Sequence, residues 1–369
     1  MKCRTMSKYK RIIKILVKIV LIATCAIMLI VGAGWLYLRS IMKPPEIPVH
    51  SADAAALGYT PVGNRPQVSL TPNFAQTESE PQDDAKEDKT PPPPAMHLEN
   101  RRPLFFTFLI FGLDESRNAD TIMVGAYDGK TQQGYIISIP RDTRVDVQRN
   151  NQKINAAYAI GQNRGGHQGG VDRLKYEVST VIGFRPDFYI SIDYMAFVRM
   201  VNAIGGVPIY VPFHMLYDDP DQDLHINIPA GMQVLDGQNA LHFARYRLGN
   251  DRRFTINDYQ RIAHQQQVIS ALFQELLTPA TLLRIPEFVR IFNDHVGTDL
   301  AYGELLWFAN QVRLVGTDAL ALYTLPSHGT SGAPYWYELA DMTGIIELVN
   351  RTVNPFTHDI TSADLRIVR

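Results

Sequence analysis

The sequence predicts an α/β protein: an α/β/α layered domain with a central mixed β-sheet, preceded by one transmembrane helix. Three observations carry this reading. Residues 19–38 form an uncharged, mostly apolar run, close to the roughly 20 residues a helix needs to cross a bilayer. A proline-rich stretch follows it. From residue 103 onward, dense apolar runs of strand length alternate with segments of helical periodicity, the pattern of a layered mixed domain. The 369 residues carry a formal net charge of -1 and are 46% hydrophobic. That balance argues against a generally basic nucleic-acid-binding protein, and no nucleic-acid partner is expected. Cys3 and Cys25 both precede the folded region, which excludes a disulfide scaffold, a cysteine zinc site or a cysteine nucleophile there.

Residues 1–18 read as a basic cytoplasmic tail. Lys2, Arg4, Lys8, Lys10, Arg11, Lys14 and Lys18 precede the apolar run, and the first acidic residue is Glu46. Basic residues stay on the cytoplasmic side, and Trp35 and Tyr37 sit where aromatic rings favour the far interface. Residues 19–38 therefore read as a single-pass anchor with the N-terminus inside and the rest outside. Gly32-Ala33-Gly34 leaves a cleaved signal peptide as the alternative, although the run is long for one. Residues 39–102 read as a disordered linker. Eleven of the 23 prolines lie between Pro44 and Pro94, and acidic, polar composition without apolar periodicity cannot offset ordering entropy.

The outer domain, 103–369, opens as a β-meander. Residues 104–113, 121–127 and 134–139 read as strands, with Asp128-Gly129 as a turn signal between the last two. Further strands are expected at 187–192, 206–211 and 319–325. Helices are expected at about 170–183, 194–204, 255–277, 302–314 and 340–353. Residues Gly161 to Gly170 read as a flexible loop without the spacing of a nucleotide-binding loop, and 218–223 as a solvated acidic loop.

An up-down-up meander brings Asp114, Asp120 and Arg141 to one sheet edge, where open sheets often gather ligand-binding residues. Two neighbouring carboxylates suit a hard divalent ion that also binds phosphate; on spacing alone the plainer reading is that Asp120 caps a turn and Asp114 is loop polarity. Arg245 and Arg247, two apart, would leave one face of an extended segment. Asp258, Arg261 and Gln265 form one stripe of the helix expected around them. Planar guanidinium forks suit phosphate, and surface ion pairing with Asp251 and Asp258 is the plainer possibility.

The segments Phe108-Leu-Ile-Phe-Gly-Leu-Asp114, Ala119-Asp120-Thr121-Ile122-Met123 and Ser138-Ile-Pro-Arg141-Asp142-Thr143 occur in that order. Lys153-Ile154-Asn155-Ala156-Ala157-Tyr158, Leu235-Asp-Gly-Gln-Asn-Ala-Leu241, Phe243-Ala-Arg245-Tyr-Arg247 and Asp258-Tyr-Gln-Arg261 with Gln265-Gln266 follow, then Pro334-Tyr335-Trp336. Together they resemble the LytR-CpsA-Psr family over about residues 104–350. The resemblance implies a bacterial cell-membrane phosphotransferase whose outer domain moves an anionic glycopolymer, of teichoic acid or capsular polysaccharide type. The donor would be a polyprenyl-pyrophosphate carrier and the acceptor peptidoglycan. It further implies Mg²⁺ or Mn²⁺ on Asp114 and Asp120, and pyrophosphate on Arg141, Lys153, Arg245, Arg247, Arg261 and Gln265. Asp120 and Arg141 would be the catalytic pair, and an apolar channel would hold the polyprenyl chain. A lipid-pyrophosphate hydrolase and a non-catalytic lipid-linked-glycan receptor or envelope regulator are the other readings. Two positions depart from the family pattern. Asn118 stands where an arginine is usual, with Arg117 next to it. His264 stands where another arginine is common, and is expected to be a solvated helix histidine.

Overall fold

The computed structural model describes residues 42–47 and 100–368, apart from 115, 220–223, 251–253, 283–284, 313 and 331–334. The anchor expected at 19–38 and most of the linker lie outside the described residues. Among the described residues no helix is long and apolar enough to cross a membrane.

Strands β1 (Phe105–Leu113), β2 (Ala119–Asp128) and β3 (Gln133–Ile139) form the meander. They are completed into a six-stranded sheet by β4 (Phe188–Ile192), β9 (Val296–Thr298) and β10 (Leu320–Thr324), in the order β10-β3-β2-β1-β4-β9. The sheet is mixed: β1 runs parallel to β4 and β3 parallel to β10, while the β1–β2, β2–β3 and β4–β9 pairs are antiparallel. Three two-stranded antiparallel sheets stand apart from it: β5 (Val207–Val211) with β8 (Gly231–Leu235), β6 (Met215–Asp219) with β7 (Leu224–Ile228), and β11 (Ser327–Thr330) with β12 (Tyr337–Ala340).

The β1 sequence is a continuous apolar run because both sheet faces are covered. Phe105, Leu109 and Phe111 point to one face, where helices α1 (Ala157–Ile182) and α7 (Met342–Arg351) contribute Leu174, Val178, Ile345 and Val349 to the same core. Phe106 and Phe108 point to the other face, beneath α5 (Ile285–His295) and α6 (Tyr302–Val312), with Val289, Leu305 and the ring of Phe308. A second core, under the β5–β8 and β6–β7 pairs, joins α2 (Tyr194–Ile204), α3 (Gly237–Arg245) and α4 (Asp258–Leu276) through Val201, Phe243 and Val268. The layered α/β architecture with a central mixed sheet is the one the sequence predicts.

Two expectations are corrected here. The glycine-rich segment 161–170 is not a loop but part of α1, which begins at Ala157 and bends where Gly165 and Gly166 leave helical geometry, Gly166 at φ 64°. The bend folds the first turns back on the rest. Gly161 then meets the Gly169 backbone where any Cβ would collide, and a Cβ on Gly170 would lie 2.7 Å from the Tyr158 ring. The glycines are there for close approach rather than for mobility. The second correction concerns Arg245 and Arg247. Arg245 is the last residue of α3, capped at its start by Asp236, and Arg247 lies in the coil beyond it, so they do not share the face of an extended segment. Of the acidic stretch, Asp218 and Asp219 belong to β6, and 220–223 lie outside the described residues.

Candidate functional site

The site sits at the sheet edge where β1 ends, β2 begins and β3 ends. A bulge between Gly112 and Leu113 shifts the β1–β2 register. The turn closes with the Asp114 amide donating to the Asn118 carbonyl at 3.0 Å. Asp114 and Asp120 thereby flank the turn, and Arg141, two residues past β3, comes up beside them. The geometry inferred from an up-down-up meander is the geometry observed.

Helix α4 supplies the other wall. Its start is fixed by a capping box: the Asn257 side chain accepts from the Gln260 amide, and the Gln260 side chain accepts from the Asn257 amide, both at 2.9 Å. The helix is also pinned to the sheet by Gln266, whose Nε2 donates to the Tyr323 carbonyl at 2.8 Å and lies 3.1 Å from Ser138 Oγ. One position earlier, Gln265 Nε2 donates to Thr121 Oγ1 at 3.3 Å. These anchors set Asp258 and Arg261 over the β2 edge. Arg261 is buried; its Nη1 lies 3.1 Å from Asp120 Oδ2 and its Nη2 3.0 Å from Asp258 Oδ1. Arg141 pairs through Nη1 with Asp120 Oδ1 and through Nε, at 3.6 Å, with Asp258.

Burial alone would raise the Asp120 pKa. The positive charges of Arg261 and Arg141, with Arg247 adding to them, outweigh it and hold the carboxyl below its ordinary value. Asp114 goes the other way: burial raises it, and the neighbouring Asp120 charge adds to the rise against the Asn118 backbone hydrogen bond. The two carboxylates thus have opposed environments. Arg141 is raised, since Asp120 and Asp258 outweigh its burial.

The remaining predicted residues lie around this centre. Arg245 has its guanidinium carbon 4.3 Å from the Tyr194 ring centroid. Lys153 Nζ sits 2.9 Å from Asp142 Oδ1, next to Arg141 in sequence. Asp258, read from sequence as an ion-pair partner, turns out to join both central arginines. Arg117, next to Asn118, adopts φ 63°, and its positive charge opposes the burial that raises the Tyr158 hydroxyl. His264 is a further correction. It is buried, stacked on Phe243 with centroids 4.4 Å apart, and burial lowers its pKa. It is covered by Phe243 of α3, a helix the sequence does not announce.

Among the described residues no group of three or more His, Cys, Asp or Glu side chains is arranged to hold a metal ion. Asp114 and Asp120 together make the one- or two-carboxylate set that Mg²⁺ takes when phosphate oxygens complete its sphere. Burial and the mutual repulsion that raises Asp114 are what a dication would relieve. The donor set fits such an ion only together with an anionic ligand, because both Asp120 oxygens already face guanidinium groups.

From this polar edge an apolar cavity of about 260 Å³ runs between the sheet and helices α2, α3 and α4. Asp120, Gln265 and Arg245 stand at its polar end, and Phe197, Ile269 and Leu272 line its depth. A second, almost wholly apolar cavity of about 270 Å³ lies under α5 and α6, and Ile110 lines both.

A guanidinium–carboxylate cluster opens into a hydrocarbon-lined cavity, a combination that suits an amphiphile with an anionic head. The chain belongs to the LytR_cpsA_psr family, whose sequence model matches residues 68–351. Among curated relatives it is 28% identical over 210 residues to the polyisoprenyl-teichoic acid–peptidoglycan teichoic acid transferase TagV of Bacillus subtilis, covering 54% of this chain and 51% of TagV. It is 27% identical over 201 residues to the regulatory protein MsrR of Staphylococcus aureus, covering 53% of this chain and 56% of MsrR. The chain thus spans about half the length of these relatives. The crystal structure of B. subtilis TagV shares the fold, with a TM-score of 0.55 at 23% identity over 67% of this chain and 95% of that one.

Proposed function

We propose that the protein is a membrane-anchored phosphotransferase that attaches an anionic glycopolymer from a polyprenyl-pyrophosphate carrier to peptidoglycan. The observation that carries this reading is the union of an anion-binding arginine cluster with an apolar cavity at its edge, in a family that includes a relative named as a teichoic acid transferase. The pyrophosphate lies on Arg141, Arg245, Arg247 and Arg261, with Lys153 and Gln265 in support, and the polyprenyl chain enters the cavity lined by Ile269 and Leu272.

Phosphoryl transfer demands positioning and charge neutralisation more than covalent participation. An acceptor sugar hydroxyl attacks the glycan-linked phosphorus, and the bond to the bridging oxygen breaks. Polyprenyl phosphate departs, taking up the proton the hydroxyl loses. Arg141 and Arg261 bind Asp120 in the free protein; with substrate present their forks turn to the phosphate oxygens and leave Asp120 to act there. Asp114 and Asp120 would hold Mg²⁺ or Mn²⁺, which supplies neutralisation of charge on the pyrophosphate oxygens. The Asp114 carboxyl, raised by burial, is then held ionised.

The test incubates the full chain in detergent with a short glycan on polyprenyl pyrophosphate, Mg²⁺ and peptidoglycan oligomers, and looks for phosphodiester-linked product by mass spectrometry. Product that disappears with Arg141→Ala or chelator supports the proposal. Released phospho-glycan without acceptor linkage makes the protein a hydrolase. Donor recovered intact and bound makes it a receptor, the reading that the relative named as a regulatory protein would favour.

A further inference from the structure

Helix α4 changes character along its length. Leu272, Ile269 and Gln265 line the apolar cavity, Arg261 holds Asp120, and Asp258 reaches Arg141. At 1.5 Å per residue, the distance from Leu272 to Tyr259 is about 20 Å. A molecule with a hydrocarbon tail at Leu272 and an anionic head at Arg261 therefore carries whatever follows its head toward the helix start, where Tyr259 stands.

Tyr259 is tied to the β11–β12 hairpin. Its hydroxyl lies 2.9 Å from Glu338 Oε2, 3.0 Å from the Ser327 carbonyl oxygen and 2.8 Å from Ser327 Oγ. The hairpin is docked on the segment carrying Arg141: the Glu338 amide donates to the Asp142 carbonyl and the Arg144 amide to the Glu338 carbonyl, both at 2.9 Å. Within the hairpin Gly329 pairs with Glu338. A Cβ at Gly329 would lie 3.1 Å from Trp336 Cζ2 and 3.3 Å from Glu338 Oε1. Glycine thus lets the indole and the carboxylate share one face of the hairpin. Trp336 stays 54% exposed there, and Glu338 is buried.

We propose that Trp336, with Glu338 and Tyr259, forms a pyranose subsite next to the phosphate cluster. This rests on the phosphotransferase reading, whose donor and acceptor are both glycans. An exposed indole offers a negatively charged face to the C–H side of a sugar ring. The Glu338 carboxylate and the Tyr259 and Ser327 hydroxyls offer the few placed polar groups that fix a sugar's orientation. Continuity with the arginine cluster, through Glu338, Tyr259 and Asp258, distinguishes Trp336 from an incidental surface aromatic.

Two measurements on the full chain in detergent test it. In the first, a soluble β-1,4-linked N-acetylglucosamine oligosaccharide is titrated while tryptophan fluorescence is followed. A saturable change that is absent from both Trp336→Ala and Trp336→Phe, which each remove the reporting indole, is expected; no change in the wild type overturns the subsite. In the second, KM is measured for donor and acceptor separately. Trp336→Ala should raise one of them roughly tenfold with kcat nearly unchanged, the loss expected for truncating an aromatic anchor, and Trp336→Phe should restore most of it. A rise in the acceptor KM assigns the ring to peptidoglycan and a rise in the donor KM assigns it to the glycopolymer. Wild-type values for both in Trp336→Ala overturn the proposal. If the wild type shows no transfer at all, the phosphotransferase reading fails, and the fluorescence titration still decides the subsite.

Discussion

Asp120 is the residue on which the site turns, because both of its carboxylate oxygens meet guanidinium groups and a third arginine adds to the field. Of the three, Arg261 is the most enclosed. Replacing it by alanine should lower transfer by a factor on the order of 10²–10³, as for removal of one preorganised charge from a site of this kind. Lysine should recover only a small part, because it keeps the charge and loses the planar fork that spans Asp120 and Asp258. Full activity in Arg261→Lys would show that only its charge matters. His264 allows a prediction in the pH domain. Burial depresses its pKa below the ordinary 6.5, and His167 and His242 are depressed for the same reason. The unfolded chain takes up these protons at a higher pH than the folded one does. Stability is therefore complete above about pH 6.5 and is lost as pH falls from there through the folded values. Thermal melts between pH 8 and 5.5 should show the midpoint falling with acid, and His264→Gln should flatten the slope. Parallel curves for variant and wild type would rule out His264 as a source of it.

At the scale of elements, the α1 bend is the least obvious feature. Its glycines are interchangeable in sequence but not in space. Gly161 meets the Gly169 backbone, whereas nothing lies within 4 Å of a Cβ placed on Gly165. Gly161→Ala should therefore cost about 2–3 kcal/mol, since backbone cannot move aside as a side chain can, or about 5–10 °C in midpoint for a domain this large. Gly165→Ala should change it by only about 1–2 °C. Equal effects in the two variants would mean that the folded-back packing is wrong. The elements also show where sequence reading succeeds. The β1–β3 meander was legible because dense apolar runs and an Asp-Gly turn are local signals, and α2 and α7 because their apolar periodicity is strong. Helix α3 was missed: its nine residues carry a capping Asp236, but they fall short of the roughly ten to twelve by which length separates a helix from a strand. That omission placed Arg245 on an extended segment with Arg247 rather than at a helix end.

On the scale of the whole molecule, the proposed lipid-linked donor and wall-bound acceptor would require the domain to work near a membrane without lying in it. The basic tail, apolar run and proline-rich stretch of residues 1–102 suit that task. The full chain should sediment with membranes, resist extraction by alkaline carbonate and dissolve in detergent, and protease added outside intact cells should reach residues 103–369. Release by carbonate would place it among peripheral proteins. The sequence by itself determined the layered α/β class, the ordered motifs of the family, and the meeting of Asp114, Asp120 and Arg141 at one edge, because a meander's connectivity fixes which strand ends are neighbours. Only the tertiary structure decided that Asp258 joins both arginines, that His264 is buried and that Trp336 shares a face with Glu338. Each of those facts depends on how helices and hairpins distant in sequence pack against that edge, and packing of that kind leaves no periodic trace in the chain.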